Sequence, residues 1–339
     1  RGMLSQAWLA WQKVDSPNPQ IHAVGVKELW ETPKGARHVI HTLGWPLDRR
    51  TFGGSFIYPM GEGLTALGLV VGLDYPTLDL DGHGLLQTMK RHAFVRPLLE
   101  GGKLLEWGAK TIPEGGLTSL PSRLSGEGIV LVGDSAGFVD VPSLKGIHYA
   151  MHSGIVAARV LHRALASVGS NEESLADYDA EIRRSYVCQD LWKTRAMRLG
   201  FQQGFWRGAS AAGTATVTRG RWPRAPRGVI EDAAHGRTDE HLPSTKPDRR
   251  LTFSKVDAVF YSGNDTPDDI PSHLIVPPEP PPEAVRFYSA MCPAGVYEAG
   301  PGGRLVVSAP NCIDCKATDV LGPRWTPRAT GSGPAYRSM

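Results

Sequence analysis

The stretch that decides the fold reads Ile129-Val-Leu-Val-Gly133-Asp134-Ser-Ala-Gly137-Phe-Val-Asp140-Val-Pro142-Ser-Leu-Lys145-Gly146-Ile-His148-Tyr-Ala-Met-His152-Ser153-Gly154. Ile129 to Val132 is an aliphatic run between glycines, which predicts a buried strand. A glycine-bearing turn follows, and Lys145 to Ala166 predicts a long helix with small residues in its first half. In an open sheet, strand ends point at a crevice, and helix N-termini supply free N–H groups and a positive dipole end there. Asp134 at the strand end can accept hydrogen bonds from a sugar or ribityl hydroxyl. Gly133 and Gly137 let a ligand approach the main chain. The same Gly-Asp pair also serves as a turn and helix cap.

Upstream, residues 1 to 20 are polar and proline-punctuated and read as a loop or severed connection. Ile21 to Trp30 reads as a strand. Gly54 to Pro59 and Leu64 to Leu73 are apolar runs separated by Gly61-Glu62-Gly63, a hairpin signal. The second run puts Thr65, Leu67, Leu69 and Val71 on one face and Ala66, Gly68, Val70 and Gly72 on the other. Small residues on a face admit a close helix or a flat ligand. Gly84 to Leu99 predicts a helix closed by Gly101-Gly102, and Leu104 to Thr111 a short strand.

Downstream, Glu172 to Leu199 predicts a second, amphipathic helix. Gly200 to Trp222 is rich in Gly, Ala and Thr with interspersed Trp and Phe. Arg219 to Pro243 has the composition of an irregular linker, and a proline run from Pro277 to Pro282 precedes the last cysteines. No internal repeat is found.

The chain has 339 residues, enough for about two domains at roughly 150 residues each. Hydrophobic residues make up 41% and charged residues 21%, which excludes wholesale disorder. The balance of 37 basic and 34 acidic side chains is too neutral for nucleic acid as the main partner. In the segment best suited to face a membrane, the longest uncharged run, Gly208 to Thr218, is well short of the ~18 apolar residues a spanning helix needs. The chain opens Arg-Gly-Met with no basic-then-apolar leader, so no targeting signal is expected. Cys292, Cys312 and Cys315 cluster near the end, two of them as C-x-x-C, while Cys188 stands apart. In a chain this large, that spacing argues for a metal or redox centre.

Several longer segments carry a resemblance. The quoted stretch from Gly133 to Gly154 resembles the second flavin-contacting segment of the electron transfer flavoprotein–ubiquinone oxidoreductase family. His41-Thr-Leu-Gly44-Trp45-Pro46 through Gly53-Gly54-Ser-Phe-Ile-Tyr58 is similar to that family's quinone-domain signature. So are Gly68 to Tyr75, Arg96 to Gly102 and Glu114-Gly115-Gly116. Cys292-Pro-Ala-Gly295-Val-Tyr297-Glu298, Asn311-Cys312-Ile-Asp-Cys315-Lys316 and Gly331 to Tyr336 resemble its iron–sulfur module.

The resemblance implies an α+β fold with α/β character in three parts. These are an antiparallel-sheet quinone domain (1–117), a partial FAD-binding domain of the glutathione-reductase type with a membrane-facing helical segment (118–230), and a ferredoxin-like iron–sulfur module (231–339). It implies electron transfer from reduced electron transfer flavoprotein, through FAD and a 4Fe-4S cluster, to ubiquinone. It also implies monotopic association with a bacterial or mitochondrial inner membrane. Gly53 and Gly54 match the glycine pair at the quinone head group. Gly133, Asp134 and Gly146 match flavin-side positions. Cys292, Cys312 and Cys315 match three of four cluster ligands. No residue is expected to act as a covalent catalyst, because the cofactors carry the chemistry.

Three departures follow. Thr318 stands where the family's last cluster cysteine falls, and a cubane normally takes four thiolates. A threonine hydroxyl is a hard ligand of high pKa. Asp314 or Asp319 as fourth ligand, a three-iron cluster, recruitment of Cys188, and loss of the cluster all remain open. Zinc lacks a fourth soft ligand here, and a dithiol lacks a βαβ setting. Second, no G-x-G-x-x-G follows a strand, so the pyrophosphate-binding unit is expected in a longer parent. Third, the membrane segment from Leu199 to Trp222 is more polar than the family's. Trp222 with Arg219, Arg221, Arg224 and Arg227 suits either an interfacial contact or a solvated basic loop. A cluster-free flavoprotein quinone or lipid reductase and a non-catalytic truncated remnant are the competing readings. His41, His148 and His152 fall within the family-like segments and fit either ligand orientation or ordinary packing.

Overall fold

The computed structural model describes residues 2–166, 172–226, 228–240 and 246–338. Arg227 and Pro243 of the expected linker lie outside the described residues. The chain forms two compact units, Arg1–His22 with Ile112–Glu231, and Ala23–Thr111 with Asp232–Met339.

The second unit is built on a sheet of β1 (His22–Glu31), β2 (Ile40–His41), β3 (Gly53–Gly61), β4 (Leu64–Gly72) and β5 (Lys103–Pro113), ordered β2-β3-β4-β1-β5. The expected hairpin is β3–β4, antiparallel with Gly61 opposite Leu64. Its two linking residues, Glu62 and Gly63, both have positive φ, which gives the turn the twist that paired strands require. β1 pairs antiparallel with β4, with Glu28 opposite Leu67 and Lys27 opposite Gly68.

The two faces of β4 are covered differently. The helix Gly82–Arg91, N-capped by Asp81, meets the large-residue face at Val71, 3.6 Å from a Cβ added to Gly82. On the small-residue face, Gly68 is covered from within the sheet itself. The Phe56 ring of β3 lies across it, so that an added Cβ would meet Phe56 Cζ at 2.4 Å. The predicted helix from Gly84 to Leu99 is two helices, Gly82–Arg91 and Arg96–Leu99. His92 takes an extended conformation, and its Nδ1 accepts from Phe94 N.

In the first unit, Trp8 and Leu9 of the helix Met3–Trp11 join Leu124, Leu131, Phe138, Tyr149, Tyr178 and Leu191 in one buried core. The predicted strand at Ile129 shortens to Ile129–Val130, which pairs antiparallel with Ser125–Gly126. Beyond it, Leu131 N still donates to the Leu124 carbonyl at 2.7 Å, and the Leu131 carbonyl accepts the Tyr178 hydroxyl at 2.8 Å. The long helix runs Ile147–Ala166. The second predicted helix is three, Glu172–Arg184, Tyr186–Thr194 and Met197–Gly200. Ser185 interrupts it: extended in backbone, it returns both N and Oγ to the Ile182 carbonyl and starts the next helix. The Gly-, Ala- and Thr-rich segment is helical over Phe205–Val217. Among the described residues no helix is long and apolar enough to cross a membrane.

Candidate functional site

The three clustered cysteines end or begin short elements of the second unit. Cys292 caps the helix Pro282–Met291, Cys312 follows the turn Ala309–Asn311, and Cys315 precedes the helix Ala317–Leu321. All three are buried and unpaired. Gly295, Asp314 and Lys316 hold left-handed backbone conformations beside them. Such turns aim successive N–H groups into one concavity, a recurring way of holding anions and iron–sulfur centres. Here the Cys292 sulfur accepts from Val296 and Ala294 N–H, Cys312 from Asp314 N–H, and Cys315 from Ala317 N–H.

Burial and neighbouring positive charge act on the sulfurs in opposite directions. Burial raises all three thiols, Cys312 to about 12, and neighbouring sulfurs raise Cys312 and Cys315 further. Against this, one cation acts on each sulfur: Lys255 on Cys292, Arg328 on Cys312 and Lys110 on Cys315. Lys110 Nζ donates to the Asp314 carbonyl at 3.0 Å, and Thr111 N to the Cys315 carbonyl at 2.8 Å, so β5 holds the C-x-x-C loop. Arg328, 2% exposed at its side chain, pairs with Asp314 at 3.1 Å and donates to the carbonyls of Cys312 and Ser332. Tyr336 lies against Gly108 of β5 and within electrostatic reach of Cys315.

Among the described residues, the group whose ligand atoms lie within 4.8 Å of one another is His273, Cys312 and Asp314; the three sulfurs are more widely spread. A single tetrahedral ion with metal–sulfur bonds of about 2.3 Å needs them closer. A polynuclear cluster does not. Tyr297 feels all three sulfurs, and its buried hydroxyl faces Thr318 with no partner in hydrogen-bonding geometry. The residues fit an iron–sulfur cluster at three corners, and Thr318 lies beside Tyr297, which feels all three sulfurs.

The flavin-side candidates lie in the first unit. An added Cβ at Gly146 would meet Asp134 Oδ1 at 3.3 Å, and one at Gly133 would meet Ala150 Cβ at 3.0 Å. The Asp134 carboxyl is exposed, and desolvation by the surrounding protein raises it above the usual carboxylate range. The Gly133 amide is already committed to Ser153 Oγ at 3.0 Å. Asp134 and Gly146 therefore come together as one edge, while the main chain at Gly133 is less open than the sequence suggests.

Gly53 and Gly54 are half-buried in the second unit. Added Cβ atoms would meet the carbonyl oxygens of Val70 and Thr42, each at 2.1 Å. Backbone crowding requires these glycines whatever else they do. His41 Nε2 pairs with the Tyr58 hydroxyl at 3.1 Å, and the rings of His148 and His152 pack on Tyr149 and Tyr186. Cys188 lies in the apolar core of the first unit.

Sequence reasoning missed Lys110, Lys255 and Arg328. They reach the cysteines only through long-range folding, and no local pattern marks them. Tyr297 stood inside a quoted motif without an assigned role.

The family model for ETF-QO, ubiquinone-binding, matches residues 22–112. That for electron transfer flavoprotein-ubiquinone oxidoreductase, 4Fe-4S, matches residues 249–337. The mitochondrial electron transfer flavoprotein-ubiquinone oxidoreductase of Oryza sativa subsp. japonica is 35% identical, over 100% of this chain and 62% of its own length. The Homo sapiens protein of that name is 36% identical, over 95% of this chain and 57% of its own. A geranylgeranyl bacteriochlorophyll reductase-like structure from Thermoplasma acidophilum aligns over 68% of this chain and 54% of its own at TM-score 0.49 and 16% identity. This chain thus spans about three-fifths of the curated relatives named. With two family segments matched in order and such identity along nearly its whole length, the chain belongs to the electron transfer flavoprotein–ubiquinone oxidoreductase family.

Proposed function

We propose that the parent protein passes electrons from reduced electron transfer flavoprotein to ubiquinone at a membrane face. In this reading the chain supplies the quinone-side sheet, the C-terminal part of the flavin domain and a ferredoxin-like cluster module. The observation that carries it is the set of three buried sulfurs, each with a backbone N–H donor and a nearby cation, inside the segment matched by the 4Fe-4S family model. When bound, an iron–sulfur cluster supplies one-electron chemistry and FAD a two-electron couple.

The chain's own residues do the holding and shielding. Cys292, Cys312 and Cys315 bind as thiolates. Lys110, Lys255 and Arg328 offset the negative charge of such a guest, and Tyr297 and Tyr336 limit water. Asp134 accepts hydrogen bonds from flavin hydroxyls, with Gly133 and Gly146 keeping side-chain bulk away. Gly53 and Gly54, tightly packed and without side chains, form the strand end proposed to meet a quinone head group. The helix Phe205–Val217 carries Trp206 and Val217 at 73% and 85% exposure, and Trp222 follows at 61%. With Arg219, Arg221 and Arg224 alongside, this surface suits a monotopic contact with anionic head groups.

The test uses the full-length parent, reconstituted anaerobically with iron, sulfide and FAD. It should reduce a short-chain ubiquinone when given reduced electron transfer flavoprotein, and Cys312→Ala should lose its iron and most of that rate. Quinone reduction unchanged in protein that contains no iron favours the cluster-free reading suggested by Thr318. No reduction with either preparation refutes both.

A further inference from the structure

The proposed cluster needs four thiolates for a complete cubane, and the described residues place three cysteines at this site. Thr318 stands where the resemblance puts the fourth ligand, and its hydroxyl ligates poorly. Thr318 sits on the first turn of the helix Ala317–Leu321, 7% exposed, with its hydroxyl toward Tyr297. The Tyr297 hydroxyl is buried without a hydrogen-bond partner. Neither hydroxyl is a soft donor suited to iron.

The nearby alternatives are otherwise engaged. Asp314 Oδ1 is held by Arg328 at 3.1 Å and by the Trp325 indole N–H at 3.1 Å, and it receives the Cys312 thiol at 3.8 Å. Asp319 interacts with Lys316 on its own turn. Cys188 is a core residue of the first unit. His273 is the strongest rival, because it is buried and its Nδ1 has no partner. Its ring nitrogen, however, shares a 4.8 Å group with the Cys312 sulfur. That is closer than ligands on two different irons of one cubane stand.

We propose that this site holds a three-iron, four-sulfide cluster on Cys292, Cys312 and Cys315, with its open vertex facing Thr318 and Tyr297. This rests on the cluster reading above and narrows it. The three-cysteine set then defines what the chain retains after oxidation, when an iron without a protein thiolate is released.

The experiment uses the 339-residue chain, reconstituted anaerobically with ferrous iron and sulfide, desalted, and treated with limiting ferricyanide. Iron content and electron paramagnetic resonance are read on the same sample. The expected result is about three irons per chain and a paramagnetic oxidised state, since an odd iron count leaves an unpaired spin. Thr318→Cys should raise the content to about four irons and silence the oxidised spectrum. His273→Ala should leave the wild-type pattern unchanged. A silent oxidised spectrum with four irons in the wild type overturns the proposal while leaving the cluster reading intact, and its loss in His273→Ala would identify the missing ligand. Failure of both the wild type and Thr318→Cys to take up iron overturns the cluster reading itself.

Discussion

Lys90 Nζ lies 2.8 Å from both carboxylate oxygens of Glu28, and neither side chain is exposed at all. Glu28 also accepts from Trp30 Nε1 and Gln87 Nε2, and the ammonium rests between the rings of Trp30 and Phe253. The pair joins β1, the helix over it, and the segment around Phe253. Removing one partner strands a buried charge. Glu28→Gln or Lys90→Met alone should cost about 3–5 kcal/mol in urea unfolding, whereas the joint replacement Glu28→Leu with Lys90→Met should recover most of it. Equal and additive losses would show that the pair does not act as a unit.

His83 is buried, and its Nε2 faces the Phe253 carbonyl at 2.9 Å, which fixes the neutral form with Nε2 as donor. Nδ1 has no partner, so a second proton there would have no acceptor. Burial holds its pKa below the ordinary value near 6.5. Between the folded pKa and 6.5 the unfolded chain binds the proton and the native chain does not. Stability is therefore present above 6.5 and falls as pH drops, by up to about 1.4 kcal/mol per pH unit. His83→Gln, which keeps a donor without titrating, should flatten this part of the stability–pH curve; an unchanged slope would discard the assignment.

Gly54→Ala places a methyl group against the rigid Thr42 carbonyl, with no flexible side chain to yield. A loss of about 3 kcal/mol or more is expected, at the upper end of overpacking effects. Gly154, in the middle of the helix Ile147–Ala166, has open space around it, and Gly154→Ala should gain about 0.5–1 kcal/mol. Thermal melts of the two variants should move in opposite directions.

Lys110 acts on Cys315 and tethers the Asp314 carbonyl. Lys110→Met removes positive charge beside a cluster that gains an electron on reduction. The reduction potential of the reconstituted protein should fall, with iron content retained. A potential that rises, or one that does not move, would show that Lys110 serves only to hold the loop.

Local chemistry explains which parts were legible. The β3–β4 hairpin follows from alternation around Gly61-Glu62-Gly63, and the helix Ile147–Ala166 from its apolar spacing. The break at Ser185 was not legible, because the amphipathic pattern continues on both sides and the serine hydroxyl turns back to the Ile182 carbonyl instead of capping the next helix. The Phe56 ring over Gly68 required the strand register, which periodicity alone does not supply. The sulfur positions were readable because C-x-x-C is local. The cations around them were not, since Lys110, Lys255 and Arg328 converge from three distant stretches.

Trp8 lies so close beneath the Ser125–Gly126 strand that a Cβ on Gly126 would come within 2.6 Å of its ring, and Arg123 stacks above the same indole. The opening helix therefore plugs the floor of a core whose other walls come from residues beyond 111. A recombinant version shortened to start at β1 would expose that floor to solvent, and its tendency to clump would report a missing stopper rather than a weakness of the sheet.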